Sequence, residues 1–287
     1  MTRCLAGRSA GTVWRVPIVV LGLVLTSALV HAGWNLLLGR AEDSEAATAV
    51  ALVAGVIVFA PVAFSVGTVS RAATPYVVGS AAFELGYFAL LARAYNTGRA
   101  SMTYPVARGF APALVLILSM GAGQSVSAAQ IAAIGLIATG VTVLRTTGGM
   151  SRSGFALGVA TAACIAGYTL VDKVGLRHAD PLPYLELAML VPALGYVTMV
   201  VRRKGAPAVR RFLSAASVLA GVGVFAAYAL TLAALARGAA APVAAVRETG
   251  IVFLTAMSAL ILKEPISLRQ WIGAIVVTSG VAVIAIR

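Results

Sequence analysis

Acidic residues are scarce in this chain, with nine Asp and Glu against 22 Lys and Arg in 287 residues, a net charge of +13. Charged residues of both signs make up only 11%, while 60% of the residues are hydrophobic and the mean hydropathy is +0.97. A water-soluble fold of this composition would have to expose far too much apolar surface, so the chain reads as an integral membrane protein. The excess of Lys and Arg falls in short gaps between apolar runs and forms no stripe interleaved with aromatics. That argues against nucleic acid and for anchoring at the headgroups of a lipid bilayer.

Cysteine and histidine are scarce as well. Cys4 and Cys164 stand far apart, which leaves two free thiols and no disulfide framework. With only His31 and His178, and no HExxH, GxSxG or GxxxxGK[ST], the sequence offers no catalytic residues, no metal cluster and no cofactor motif. The stretch "GAGQSV" from Gly121 to Val126 lacks the third glycine of a dinucleotide loop and reads as a turn.

What fills the chain is apolar runs. Charges and turn residues cut it into ten: Pro17 to Leu38, Ala46 to Val69, Pro75 to Tyr95, Ser101 to Met120, Ala128 to Leu144, Gly154 to Val171, Pro181 to Val201, Phe212 to Ala236, Ala241 to Leu262 and Leu268 to Ile286. Each is close to the ~20 residues that a helix needs to cross a ~30 Å hydrocarbon core. Run length and the lack of a period-2 pattern exclude a barrel, and the connections are too short for a soluble catalytic domain. The basic tail Arg3, Arg8 and Arg15, with Val30-His31-Ala32 further on, imitates a signal peptide. The first run continues to Leu38, however, and predicts an uncleaved helix. Positive-inside counting conflicts, because that tail and "RRKGAPAVRR" (Arg202 to Arg211) lie on opposite faces of a ten-span protein.

The sequence also repeats itself. Shifted by about 140 residues, "VSAAQIAAIGLIATGVTV" (Val126 to Val143) lies on "ISLRQWIGAIVVTSGVAV" (Ile266 to Val283). Ser127 then matches Ser267, Gln130 Gln270, Gly140 Gly280 and Val141 Val281. With a one-residue gap Arg108 falls on Arg247, and "HAGWN" on "IAGYT" pairs Trp34 with Tyr168. Five spans per half is odd, so the second half enters from the opposite face, the inverted repeat on which many secondary transporters are built.

Ionisable residues inside the spans carry the functional signal, because each is costly in hydrocarbon unless paired or facing a wet cavity. Five stand out: Glu84, Arg108, Glu186, Arg247 and Glu248. Arg108 and Arg247 lie roughly 10 Å into their helices, each about 5 Å from the midplane on opposite sides, so a forked grip on a carboxylate or phosphate is one reading. A permanent tie to Glu84, Glu186 or Glu248 is the other. Glu84, Glu186 or His31 can also serve as a proton carrier. Trp34, Asn35, Tyr87, Tyr104 and Tyr168 are placed to line a cavity, whereas Trp14, Tyr76, Tyr184 and Trp271 read as an interfacial belt. Pro105 and Pro112 predict a bend in the fourth span, and the 29 glycines predict closely approaching helices.

Three stretches, "HAGWNLLLGR" (His31 to Arg40), "FELGYFALLARAYNTGRASMTYPVARGFAP" (Phe83 to Pro112) and "VRETGIVFLTAMSALILKEPISLRQWIGAIVVTSGV" (Val246 to Val281), resemble the EamA branch of the drug/metabolite transporter superfamily. The resemblance implies an all-α, ten-helix inverted-repeat carrier. A basic tail at 1–16 would be followed by one EamA unit over 17–145 and a second over 154–287. Both termini would be cytoplasmic in an inner (plasma) membrane, and the cargo a small polar metabolite, amino acid-like or an organic anion, moved outward. Trp34, Asn35, Glu84, Tyr87, Tyr104, Pro105, Arg108, Arg247 and Glu248 match the family's patterns, while Gln124 stands where the family often has a Glu that the second half keeps as Glu264. A receptor or scaffold and an intramembrane lipid enzyme are the competing readings, and a homodimer is left open.

Overall fold

The computed structural model describes residues 16–96, 100–124, 126–145, 152–263, 265 and 267–286. They form α1 (Ile18–Gly39), α2 (Ser44–Val66), a 3-10 turn (Arg71–Ala73), α3 (Thr74–Asn96), α4 (Ala100–Gly121), α5 (Ala128–Arg145), α6 (Arg152–Gly175), α7 (Pro181–Lys204), α8 (Ala206–Arg210), α9 (Ala215–Arg237), α10 (Ala240–Arg247), α11 (Thr249–Leu262) and α12 (Leu268–Ile286). Strand pairing among these residues is limited to one bridge, Val69 with Ala179. α1, α2, α6, α7, α9 and the stretch Ala240–Ile261 are long and apolar enough to cross a membrane, and Val106–Gly121, Ala128–Val143 and Leu268–Val283 are shorter apolar helices. The helices carry apolar side chains on every side, as lipid and neighbouring helices are both apolar surroundings.

Polar residues set the ends. Asp43 caps α2, its Oδ1 accepting from the Glu45 and Ala46 N–H groups at 3.1 Å each. The entries of α5 and α12 are built alike. Ser127 N–H donates to Gln130 Oε1 at 3.0 Å and Gln130 N–H to Ser127 Oγ at 3.3 Å, and the same pair of bonds joins Ser267 and Gln270 at 2.8 and 3.3 Å. The matched Ser and Gln of the repeat are therefore two capping boxes. Before them the chain turns at Gly123 (φ 83°) and at Lys263 (φ 56°), the left-handed residue that ends a helix. Ala122 and Gly123, within "GAGQSV", thus form the turn that its composition indicated.

Packing recurs with the halves exchanged: α1 lies on α9 and α6 on α3, α2 on α9 and α7 on α3, α4 on α6 and both α10 and α11 on α1. Two contacts join a helix to its own counterpart, α2 with α7 and α5 with α12. The second is made by glycines. A Cβ at Gly140 would stand 2.7 Å from Val277 Cγ2 and 2.9 Å from the Gly273 carbonyl; one at Gly280 would stand 2.7 Å from Ile137 Cγ1 and 2.8 Å from the Ala133 carbonyl. Gly221 likewise packs directly on the Ala51 carbonyl, which brings α9 against α2.

Two expectations need correcting, while the basic connection after the seventh run adds the short helix α8. The ninth run is not one helix but two, α10 and α11, parted at Glu248. The sixth run does not stop at Val171, because backbone hydrogen bonding carries α6 to Gly175 and takes Asp172 inside.

Both ends of the α2–α7 contact are tied. At one end Lys204 Nζ meets Asp43 Oδ2 at 2.6 Å and Glu45 Oε2 at 2.7 Å, with Arg203 Nη1 3.2 Å from Glu45 Oε1. At the other, Thr68 N–H donates to Asp180 Oδ2 at 2.8 Å and Asp180 N–H to the Thr68 carbonyl at 2.9 Å. Burial pushes the Asp43 carboxyl up, but the hydrogen bonds from Lys204 and from the helix N–H groups outweigh it and hold Asp43 below the usual carboxylate range.

Two predictions follow from this packing. Gly140→Val and Gly280→Val should each cost about 1–3 kcal/mol by overpacking, read as a lower unfolding temperature of the solubilised protein. Because Asp43 is depressed in the folded state, its contribution is present in full above the unfolded value of about pH 4 and is lost as pH falls through the folded one. Acid should therefore lower the unfolding temperature, and Lys204→Met should shrink that acid step.

Candidate functional site

Arg108 sits in the middle of α4 and is 4% exposed. Its Nε lies 3.1 Å from Glu248 Oε2, and its Nη2 lies 3.4 Å from His31 Nε2. A guanidinium has no acceptor, so in this arrangement His31 Nε2 is the acceptor. Three helices are joined by this contact: α4, α1 and the junction of α10 with α11. The junction explains Glu248's reach. Its N–H bonds the Ala245 carbonyl and the Ile251 N–H bonds its own carbonyl, both at 3.1 Å, a tightened turn that swings the side chain off the helix line. Pro112 has no N–H, so the Arg108 carbonyl lacks its usual donor one turn on.

Arg247 ends α10, its Cζ 5.8 Å from the centre of the Tyr228 ring. Its charge acts on His31, Glu84, Tyr168 and Glu248. The Tyr168 and Tyr228 rings lie 5.9 Å apart, and Trp34 meets His31 edge-on at 4.6 Å. Two N–H donors of this region, Arg247 Nε and Trp34 Nε1, are buried with no hydrogen-bond partner in the described structure. Most buried donors are paired, so such groups ask for an acceptor. Beside Arg247 and Glu248 the space is small, about 10 Å³, enough for one water. Nothing larger fits unless helices part.

The structure thus brings together Arg108, Arg247, Glu248, His31, Trp34, Tyr168 and Glu84, the last buried on α3 beside Tyr228. Asn35 is engaged locally, Nδ2 donating to the His31 carbonyl at 2.8 Å. Tyr87 packs edge-on against Phe88, with the ring centres 5.1 Å apart. Glu186 is buried on α7, and its Oε2 has no hydrogen-bond partner among the described residues. The side chains of Tyr104 and Pro105, and all of Glu264, lie outside the described residues.

Three functional candidates escaped the sequence reading. Asp172 is fully buried, with Tyr184 Oη donating to Oδ1 at 3.0 Å and Tyr228 Oη to Oδ2 at 2.7 Å. Tyr184, which had the look of a belt residue, is itself fully buried. The signal available was a tyrosine at Tyr184 and one at Tyr228, each inside an apolar run, with an acid four residues beyond Tyr168 on the same helix face.

Comparison with known families bears on this site. Residues 152–286 match the EamA-like transporter family. The match covers the second half of the chain. This half holds Tyr168, Asp172, Tyr184, Tyr228, Arg247 and Glu248, and the match is consistent with a transporter of the drug/metabolite transporter superfamily. One solved crystal structure, 15% identical, superposes with a TM-score of 0.73 over 92% of this chain and 97% of that one, a likeness of fold. No curated protein matches the sequence. The EamA match over residues 152–286 and the apolar helices support a multi-pass membrane protein.

The ion pair predicts a thermodynamic cycle. Glu248→Leu or Arg108→Met alone leaves a buried charge unanswered and should cost about 3–5 kcal/mol, while the double variant should recover most of it. Unfolding of the four proteins in detergent measures the coupling.

Proposed function

We propose that the protein is a secondary transporter that moves a small polar metabolite, amino acid-like or an organic anion, outward across the cytoplasmic membrane by alternating access. Ten spans arranged as two inverted five-helix EamA repeats, 17–145 and 154–287, support that motion, since inverted halves have two interchangeable packings. The exchanged helix contacts and the paired capping boxes speak for this arrangement. Both termini are taken as cytoplasmic.

The observation that carries the substrate class is the buried pair of unpartnered donors, Arg247 Nε and Trp34 Nε1, around the Arg108–Glu248 ion pair. Arg247 holds the carboxylate or other anionic group, Glu84 or Glu248 meets an amine where there is one, and Trp34, Tyr168 and Tyr104 bear on the organic part. Asn35 and Tyr87 complete the wall. Arg108 has a double role: it is exchanged between Glu248 and substrate as the helices part. Its removal is therefore expected to weaken folding as well as transport, which makes Arg247 the cleaner probe.

The test is counterflow in proteoliposomes, using those amino acids, nucleosides and organic anions that raise the unfolding temperature of the purified protein. An anionic or amino acid-like solute should exchange, and Arg247→Ala should lose at least tenfold in exchange while unfolding within a few degrees of the unaltered protein. A receptor, a scaffold or a lipid enzyme shows no exchange of labelled solute, and that result would overturn the proposal.

A further inference from the structure

Asp172 belongs to none of the contacts assigned above to a substrate. It is sealed from solvent on α6, and no Lys or Arg forms an ion pair with it among the described residues. Its neighbour Lys173 is turned away, with Nζ donating to the Leu235 carbonyl at 2.6 Å. The groups that face it are the Tyr184 hydroxyl from α7, the Tyr228 hydroxyl from α9, Ser80 and Glu84 from α3, and Arg247 from α10, whose charge reaches it without an ion pair. On its own helix Tyr168 stands one turn away.

The hydrogen bonds do not use up the geometry. Tyr184 Oη lies 3.0 Å from Asp172 Oδ1 and 3.2 Å from the Tyr76 carbonyl, two acceptors for one hydroxyl proton. If Asp172 is a carboxylate, Tyr184 donates to it. If Asp172 is a neutral acid, its own O–H donates to Tyr184 Oη, and Tyr184 turns its proton to the Tyr76 carbonyl. Both states satisfy Asp172 Oδ1 and Tyr184 Oη without moving a heavy atom. Tyr76 stacks on His178, 5.8 Å between ring centres, at the partly exposed end of α6 and start of α7, which places this cluster near one end of the bundle. At its other end Tyr228 lies under Arg247.

We propose that Asp172 is the proton-binding residue of this protein, accommodated in either charge state by Tyr184 and read by the substrate site through Tyr228. This rests on the carrier reading and adds a proton to it. One proton from water joins the Asp172 carboxylate, and the same proton leaves when the site empties. His31 Nε2 is engaged by Arg108, and Glu186 Oε2 has no hydrogen-bond partner among the described residues and takes no part in these bonds, so neither fits the task as Asp172 does.

Infrared difference spectroscopy of the full-length protein in lipid, titrated with pH, reads the proton without any substrate. A protonated-carboxyl band that titrates should be present in the unaltered protein, absent in Asp172→Asn, shifted in frequency in Tyr184→Phe and retained in Glu84→Gln. A band that survives Asp172→Asn, or no titrating band at all, would sink the proposal. An unfolding temperature of Asp172→Asn within a few degrees of the unaltered protein shows that the band was lost with the group, and Asp172→Glu, which should restore a band, covers the case in which Asn does not fold. Counterflow at equal pH on both sides judges the carrier reading separately: exchange without a titrating carboxyl defeats only the proton site.

Discussion

A guanidinium in hydrocarbon must be answered by an anion, and in this protein the answer to Arg108 comes from Glu248, far along the chain and in the other half. That single ion pair determines much else. It requires α4 to lie against the α10–α11 junction, it requires that junction to break so that the carboxylate can turn inward, and it brings α1 with it through His31. Buried pairs are poor net stabilisers, because desolvation of both ions offsets most of their attraction. The pair is better understood as a constraint that makes one packing of the two halves correct and separated halves costly.

The surrounding charges fit a switch more readily than a clamp. Two arginines and three acids, Glu84, Asp172 and Glu248, share one buried region, so ion pairing can be redistributed with little change in the total. At the rim the α2–α7 contact is tied differently at its two ends, by ion pairs at Asp43, Glu45, Arg203 and Lys204 and by a backbone bridge with Asp180 at the other. Salt screens the first and leaves the second nearly untouched, so the two ends respond differently to the same medium.

Much of the fold was legible because a membrane imposes one rule, that backbone groups pair within a helix, and apolar run length then marks the elements. The matched positions in the two halves of the sequence have a reason that the structure supplies. Ser127 with Gln130 and Ser267 with Gln270 match because each pair caps a helix, and Gly140 with Gly280 because each lets the same two helices touch. Of the site, the arginines and their aromatic neighbours stood out as polar residues in apolar company. Asp172 did not. Its place beside Lys173 looked like the charged end of a span, since hydropathy stops at Val171 although hydrogen bonding continues to Gly175. Tyr184 was misplaced for the same reason, lying near a helix start where a belt residue is expected and yet fully buried.

Those two misreadings concern one feature, a polar cluster at the edge of the hydrocarbon that the protein covers over. The ends of spans are where water is nearest, so a carboxyl there is the least costly to load with a proton and, once enclosed by Tyr184 and Tyr228, the most costly to leave ionised without a cation. The centre holds the reverse case, with Arg108 already matched to Glu248. A protein that keeps its unmatched acid near one face and its matched ions within has separated the place where a proton enters from the place where charge is traded. Tyr228, bonded to Asp172 and lying under Arg247, is the one described side chain that touches both.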